Sequence, residues 1–162
     1  MTKIGNPSYK TTNAVLIILG AAFFAIDRYL KWLAENYQLP GLHIGQWLSL
    51  EISKNENIAF SLPVQGRWLE MLIALIIIAL TAMAIWQAFF QKNRASTKLT
   101  GLILIMVFGA LSNLIDRFRF GYVIDYIYLK NLISLNLADV LISLAAATMI
   151  IAILMSKKPL NR

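Results

Sequence analysis

The sequence predicts an all-α membrane protein with four transmembrane helices, both termini on the cytoplasmic side, and a small extracytoplasmic β-rich cradle after the first helix. Three observations predict it. Of 162 residues, 59% are apolar and only 14% charged, with a mean hydropathy of +0.65; soluble domains carry about 45–50% apolar and about 25% charged residues. The apolar residues gather into four runs. The basic residues outside those runs concentrate on alternate connections.

The runs come in order at about residues 14–33, 68–90, 98–116 and 136–156, and together they make residues 1–162 a single membrane domain. A crossing takes about 20 mostly apolar residues. The first run is uncharged only from Ala14 to Ile26 and reaches crossing length by including Asp27, Arg28 and Lys31. Lys3 and Lys10 ahead of it give it the outline of a cleavable leader, but Asp27-Arg28-Tyr29-Leu30-Lys31 stands where a small-x-small cleavage site would be, and three more runs follow. The second run is uncharged from Met71 to Phe90, the third from Leu99 to Ile115, and the fourth has Asp139 as its only charge.

Lys3 and Lys10 precede the first run; Lys92, Arg94 and Lys98 lie between the second and third; Lys157, Lys158 and Arg162 follow the fourth. No acid accompanies them: all eight acidic residues lie in or beside the other two connections. Lys and Arg near span ends mark the cytoplasmic side, so the net charge of +7 is largely a topology signal and calls for no nucleic acid. Zero cysteines and a single histidine, His43, exclude thiolate chemistry and leave a metal site or a Ser-His-Asp triad unsupported. No metal or cofactor is expected.

The outer segments are then about residues 34–66 and 117–134. Leu48, Leu50 and Ile52 alternate with polar residues, as in a half-buried strand. Lys54-Asn55-Glu56-Asn57 predicts a turn, Ile58-Ala59-Phe60 a returning strand that Pro63 ends, and Trp47 and Phe60 suit a sheet lying on the membrane surface.

Polar residues cluster at the outer helix ends. Asn113, Asp116 and Arg117 share one face of the third helix, Asn136 and Asp139 one face of the fourth, and Asp27 and Lys31 stand at i and i+4 beyond the first. Each has an ordinary account: an interfacial Asp116-Arg117 pair, a surface Asp27-Lys31 pair, an N-cap at Asn136. Asp125 and Asp139 resist one, because each sits among apolar neighbours with no basic residue within four positions. A lone carboxylate there costs several kcal/mol or takes up a proton. Two such acids brought together share one proton and divide acid and base roles, the chemistry of an aspartic peptidase. A proton-coupled transport subunit or a scaffold with a polar seam are the other readings of membrane carboxylates.

Five blocks now appear in order: Asp27-Arg28-Tyr29-Leu30-Lys31; Asn55-Glu56-Asn57-Ile58-Ala59-Phe60; Gly109 to Arg117 with its Asn-x-x-Asp-Arg; Val123-Ile124-Asp125-Tyr126-Ile127; and Leu135-Asn136-Leu137-Ala138-Asp139. In these the chain resembles the type II (prolipoprotein) signal peptidases over nearly its whole length. The resemblance implies a monomeric, cofactor-free aspartic endopeptidase of the bacterial cytoplasmic (inner) membrane, with its site on the extracytoplasmic side among membrane lipids. It would remove signal peptides from diacylglyceryl-modified prolipoproteins, cutting before the lipid-modified cysteine. Asp125 and Asp139 match the catalytic pair; Asn113, Asp116, Arg117 and Asn136 match polar residues around the site, and Asp27, Lys31 and Asn55 further motif positions. The chain departs from the family pattern at Asn57 and Ser112, where glycine is usual, at Leu30, where a hydroxyl residue is common, and in the short segment between the two acids.

Overall fold

The computed structural model describes residues 9–36, 41–56, 67–90 and 94–156, with side chains from 14 to 155 within those ranges except 94–96. The elements run α1 (Tyr9–Glu35), β1 (Leu42–Ile44), β2 (Leu48–Leu50), β3 (Ser53–Asn55), α2 (Arg67–Phe90), α3 (Arg94–Phe120), β4 (Val123–Asp125), β5 (Ile127–Leu129), β6 (Ile133–Leu135) and α4 (Leu137–Ser156). Among the described residues three helices are long and apolar enough to cross a membrane, at Arg67–Phe90, Thr97–Phe120 and Leu137–Met155. The fourth helix, α1, has 27 residues, about 40 Å at 1.5 Å per residue.

The polarity of the helices is inverted relative to a soluble bundle. Leu72, Leu75, Ile78, Trp86, Phe89, Leu144, Ile151 and Leu154 are exposed, while Asp27, Lys31, Ser112, Asp116 and Asn136 are wholly buried. That is what a hydrocarbon solvent favours: an apolar exterior, and polar groups only where protein partners satisfy them. α3 is the central helix and packs on α1, α2 and α4. Glycines allow the closest approaches. A methyl at Gly109 would lie 2.8 Å from Ile142 Cγ1 and 3.1 Å from the Ala138 carbonyl oxygen, and one at Gly20 would enter the Phe108 ring. Small residues at such crossings are the usual device of membrane helices.

α3 ends at Gly121, whose φ of 81° is a left-handed cap and whose N–H donates to the Arg117 carbonyl at 2.9 Å. The chain then turns back into the cradle. One antiparallel sheet has the order β1-β2-β5-β6, and β3 pairs with β4 beside it. The two sheets form one bent ribbon. Leu48 faces Leu129 and Ser49 faces Tyr128, but farther along Ser53 faces Asp125 and Asn55 faces Val123. Residues 50–52 on one strand therefore oppose only 126–127 on the other, a bulge that bends the ribbon next to Asp125.

This corrects two expectations. Lys54 and Asn55 belong to strand β3 and not to a turn, because pairing with β4, about 70 positions away, overrides the local preference of Asn for turns. β2 takes β1 and β5 as its neighbours; the expected returning strand, with Asn57, Phe60 and Pro63, lies outside the described residues. The cradle is also wider than the segment after α1, since half its strands come from residues 123–135.

Candidate active site

The site lies where the C-terminal end of α3, the start of α4 and strands β3 and β4 meet. Asn136 organises it. Its Oδ1 accepts the Asp139 N–H at 3.0 Å, and Asp139 Oδ2 accepts the Asn136 N–H at 3.4 Å, a reciprocal cap on α4. The expected N-cap is thus present, but the same side chain does more. Its Nδ2 donates to Asp125 Oδ1 at 2.8 Å and to Asn113 Oδ1 at 3.2 Å. One amide therefore touches both carboxylate-bearing segments. Asp125 Oδ2 accepts from Asn55 Nδ2 at 2.9 Å, and Asp139 Oδ1 from Asn113 Nδ2 at 2.8 Å. Each acid is held by an asparagine on either side.

Asp125 is wholly buried. Burial, and secondly the charge of Asp139, push its carboxyl up to about 6, against the donors Asn55 and Asn136 and the charge of Lys31. The two carboxylates thus sense each other across Asn136. Arg117 lines the same groove as Asp139, and the charge of Lys31 acts on Asp125. The sequence offered neither acid a basic neighbour; the fold supplies two.

Behind the acids lies a buried ionic core. Lys31 Nζ donates to Asn113 Oδ1 at 2.7 Å, Asp116 Oδ2 at 2.8 Å and Asp27 Oδ2 at 3.2 Å, which uses all three of its protons. Asp116 also pairs with Arg28 and accepts the Ile124 N–H at 3.2 Å. The surface account of Asp27-Lys31 is therefore corrected, since both are buried. Nor is Asp116 interfacial: it is buried and turns inward to Lys31 and Arg28, while Arg117 lines a groove. Lys31 acts on the site through Asn113. By occupying Oδ1 it leaves Nδ2 to face Asp139.

Sequence reasoning missed Arg28, Ser112 and Tyr126. Ser112 Oγ donates to Asp27 Oδ2 at 2.6 Å and Tyr126 OH to Asp27 Oδ1 at 2.8 Å. Their only sequence signal was position inside a polar block, which does not say where a hydroxyl points.

A groove of about 490 Å³ opens beside the acids. Its polar end is Asn55, Asn113, Arg117 and Asp139; its walls are apolar, with Ile73 of α2, Ala110 of α3, and Val140, Ile142 and Leu144 of α4. An apolar trough leading to a carboxylate, an arginine and two asparagines fits an extended chain whose reacting group is polar and whose flanks are not.

Known proteins are similar along the whole of this arrangement. The profile of the signal peptidase (SPase) II family matches residues 19–155. A lipoprotein signal peptidase of Chlorobaculum tepidum is 34% identical over 122 residues, 71% of each chain, and that of Lactococcus lactis subsp. lactis is 31% identical over 154 residues, 92% of this chain and 97% of the relative. Two solved structures of bacterial membrane enzymes, obtained by the in meso method at 2.3 and 1.9 Å, have TM-scores of 0.69 and 0.71, each at 21% identity. They cover 92% and 89% of this chain, and 94% and 95% of their own; at that identity they speak for the fold. With the profile spanning all five sequence blocks and relatives above 30% identity, the chain belongs to the signal peptidase II family of membrane peptidases.

Proposed function

We propose that the protein is an aspartic endopeptidase that removes the signal peptide from diacylglyceryl-modified prolipoproteins, with Asp125 and Asp139 as its catalytic pair. One observation carries the reading: two acids from separate elements are both tied to Asn136, and one of them lines an apolar groove. The pair holds one proton. The ionised carboxylate takes a proton from water as its oxygen attacks the scissile carbonyl carbon, and the protonated partner donates to the carbonyl oxygen. The tetrahedral diol then collapses: one diol hydroxyl gives its proton to the ionised carboxylate as the C=O re-forms, the C–N bond breaks, nitrogen takes the proton of the other carboxyl, and the one-proton state is restored. Arg117 offers fixed donors to substrate carbonyls at the groove mouth. The apolar walls take the signal peptide and acyl chains, placing the cut before the lipid-bearing cysteine.

The same reading gives α1 as a fourth crossing and puts both termini in the cytoplasm of a bacterial inner membrane, with the acids at the outer face and one chain sufficient. The supporting facts are the buried polar face of α1 and its packing on α3. Cleavage of a lipid-modified precursor by purified protein is the test. Asp125→Asn and Asp139→Asn are each expected to lose at least about a thousandfold in kcat while still binding substrate, and chelator is expected to have no effect. Substantial turnover by either variant would remove the pair from the mechanism.

A further inference from the structure

The start of α4 carries Asp139 in its first turn, so whatever holds that turn holds the acid. An α-helix leaves its first backbone N–H groups without helical partners. Here each of the first three finds a different side chain. The Leu137 N–H donates to Tyr126 OH at 3.0 Å, the Ala138 N–H to Asp27 Oδ1 at 3.2 Å, and the Asp139 N–H to Asn136 Oδ1 at 3.0 Å. The first helical bond follows, from the Val140 N–H to the Asn136 carbonyl.

Tyr126 is the residue common to this system. It follows Asp125 directly. Its N–H donates to the Leu135 carbonyl at 3.2 Å, and its hydroxyl accepts from Leu137 while donating to Asp27 Oδ1. It therefore stitches the segment bearing one acid to both residues that flank Asn136, and to α1. The side chain is 3% exposed and packs with Ala34 and Ile124. Burial and the charge of Asp27 push its phenol well above the usual value, so the hydroxyl keeps the proton it donates. It does not line the groove and acts only through others.

We propose that Tyr126 is a positioning residue for the reaction: its hydroxyl locks the first turn of α4 onto Asp27 and so sets Asp139 against Asp125. The inference rests on the two-carboxylate reading above. A phenylalanine keeps the ring and its packing but leaves the Leu137 N–H and one Asp27 lone pair without their partner, and α4 is free to shift. Misplacement on the order of 1 Å costs up to about a hundredfold in rate.

The test uses the full-length protein in lipid or detergent with a lipid-modified precursor. Tyr126→Phe is expected to lower kcat about ten- to hundredfold with KM changed less than about threefold. The alkaline limb of its pH–rate profile is expected to move to lower pH. That limb marks loss of the shared proton, and the charges acting on Asp125 are those of Asp139 and Lys31, with Arg117 in the groove beside Asp139; moving Asp139 away weakens its hold on the proton of Asp125. Leu137→Pro supplies the second variant. Proline lacks the N–H and is tolerated at the first helical position, so in that background the Tyr126→Phe penalty should shrink to less than about threefold. A kcat for Tyr126→Phe within about twofold of wild type, an unmoved alkaline limb, or a penalty undiminished in the proline background would each overturn the proposal. Asp125→Asn run in parallel separates the two readings: activity retained there removes the pair itself, whereas activity lost there with Tyr126→Phe unaffected removes only the role of Tyr126.

Discussion

Lys31 is structural in its contacts, and the proposed function gives those contacts a consequence for turnover. Its ammonium neutralises the buried Asp27 and Asp116, and its third proton orients Asn113 toward Asp139. Breaking a buried ionic group by removing one partner typically costs about 3–5 kcal/mol. Lys31→Met is expected to lower thermal stability by that order and to reduce turnover even in the fraction that folds, read by thermal unfolding and by assays corrected for folded protein. Asp125 makes a prediction of opposite sign. Its carboxyl stands at about 6 in the folded protein against the usual 3.8. A raised folded value means the folded state holds the proton more tightly, so this stability is fully present below about 3.8 and is lost as pH rises through about 6. Wild type should lose on the order of 2 kcal/mol more than Asp125→Asn between pH 4 and pH 7. Unfolding temperatures of the two proteins across that range are the check; parallel curves would mean that Asp125 is not strained by its surroundings.

At the scale of elements, the crossing of α3 and α4 sets the reach of the site. Gly109 lies under Ala138 and Ile142, one residue before and three residues after Asp139. Gly109→Ala must push α4 outward, because a carbonyl oxygen cannot rotate away as a side chain can. A destabilisation of about 1–3 kcal/mol is expected, with a fall in kcat, and Ile142→Ala, which removes the Cγ1 atom nearest the new methyl, should make the double variant cost less than the sum of the two single changes; thermal unfolding and turnover of the single and double variants measure it. The cradle teaches a different lesson about legibility. Alternation at Leu48, Leu50 and Ile52 pointed to a strand, and β2 lies there. Asn55 pointed to a turn and lies in a strand. Local chemistry reports what a backbone can do alone, whereas a three-residue strand exists only because a distant partner, here β4, offers it a ladder.

For the whole molecule, the exposed faces of α2 and α4 and the buried polar core define a protein whose solvent is lipid. The proposed topology predicts that a reporter fused after Arg162 registers in the cytoplasm, and that moving the positive charges of Lys92, Arg94 and Lys98 to the opposite connections weakens that orientation. Reporter activity on the two sides of the membrane decides it.

The sequence alone determined the solvent of this protein, its helices and its family, because these follow from properties that sum along the chain: apolar length, charge placement, and short blocks in fixed order. It also singled out Asp125 and Asp139, since an acid among apolar neighbours is conspicuous without any partner in view. Only the tertiary structure decided which side chains meet. Asn136 joining both acids, Lys31 directing Asn113, and the hydroxyls of Tyr126 and Ser112 converging on Asp27 link positions up to 99 residues apart. The direction of a hydrogen bond across such a gap is set by helix crossings and strand register, which no local stretch of chain encodes.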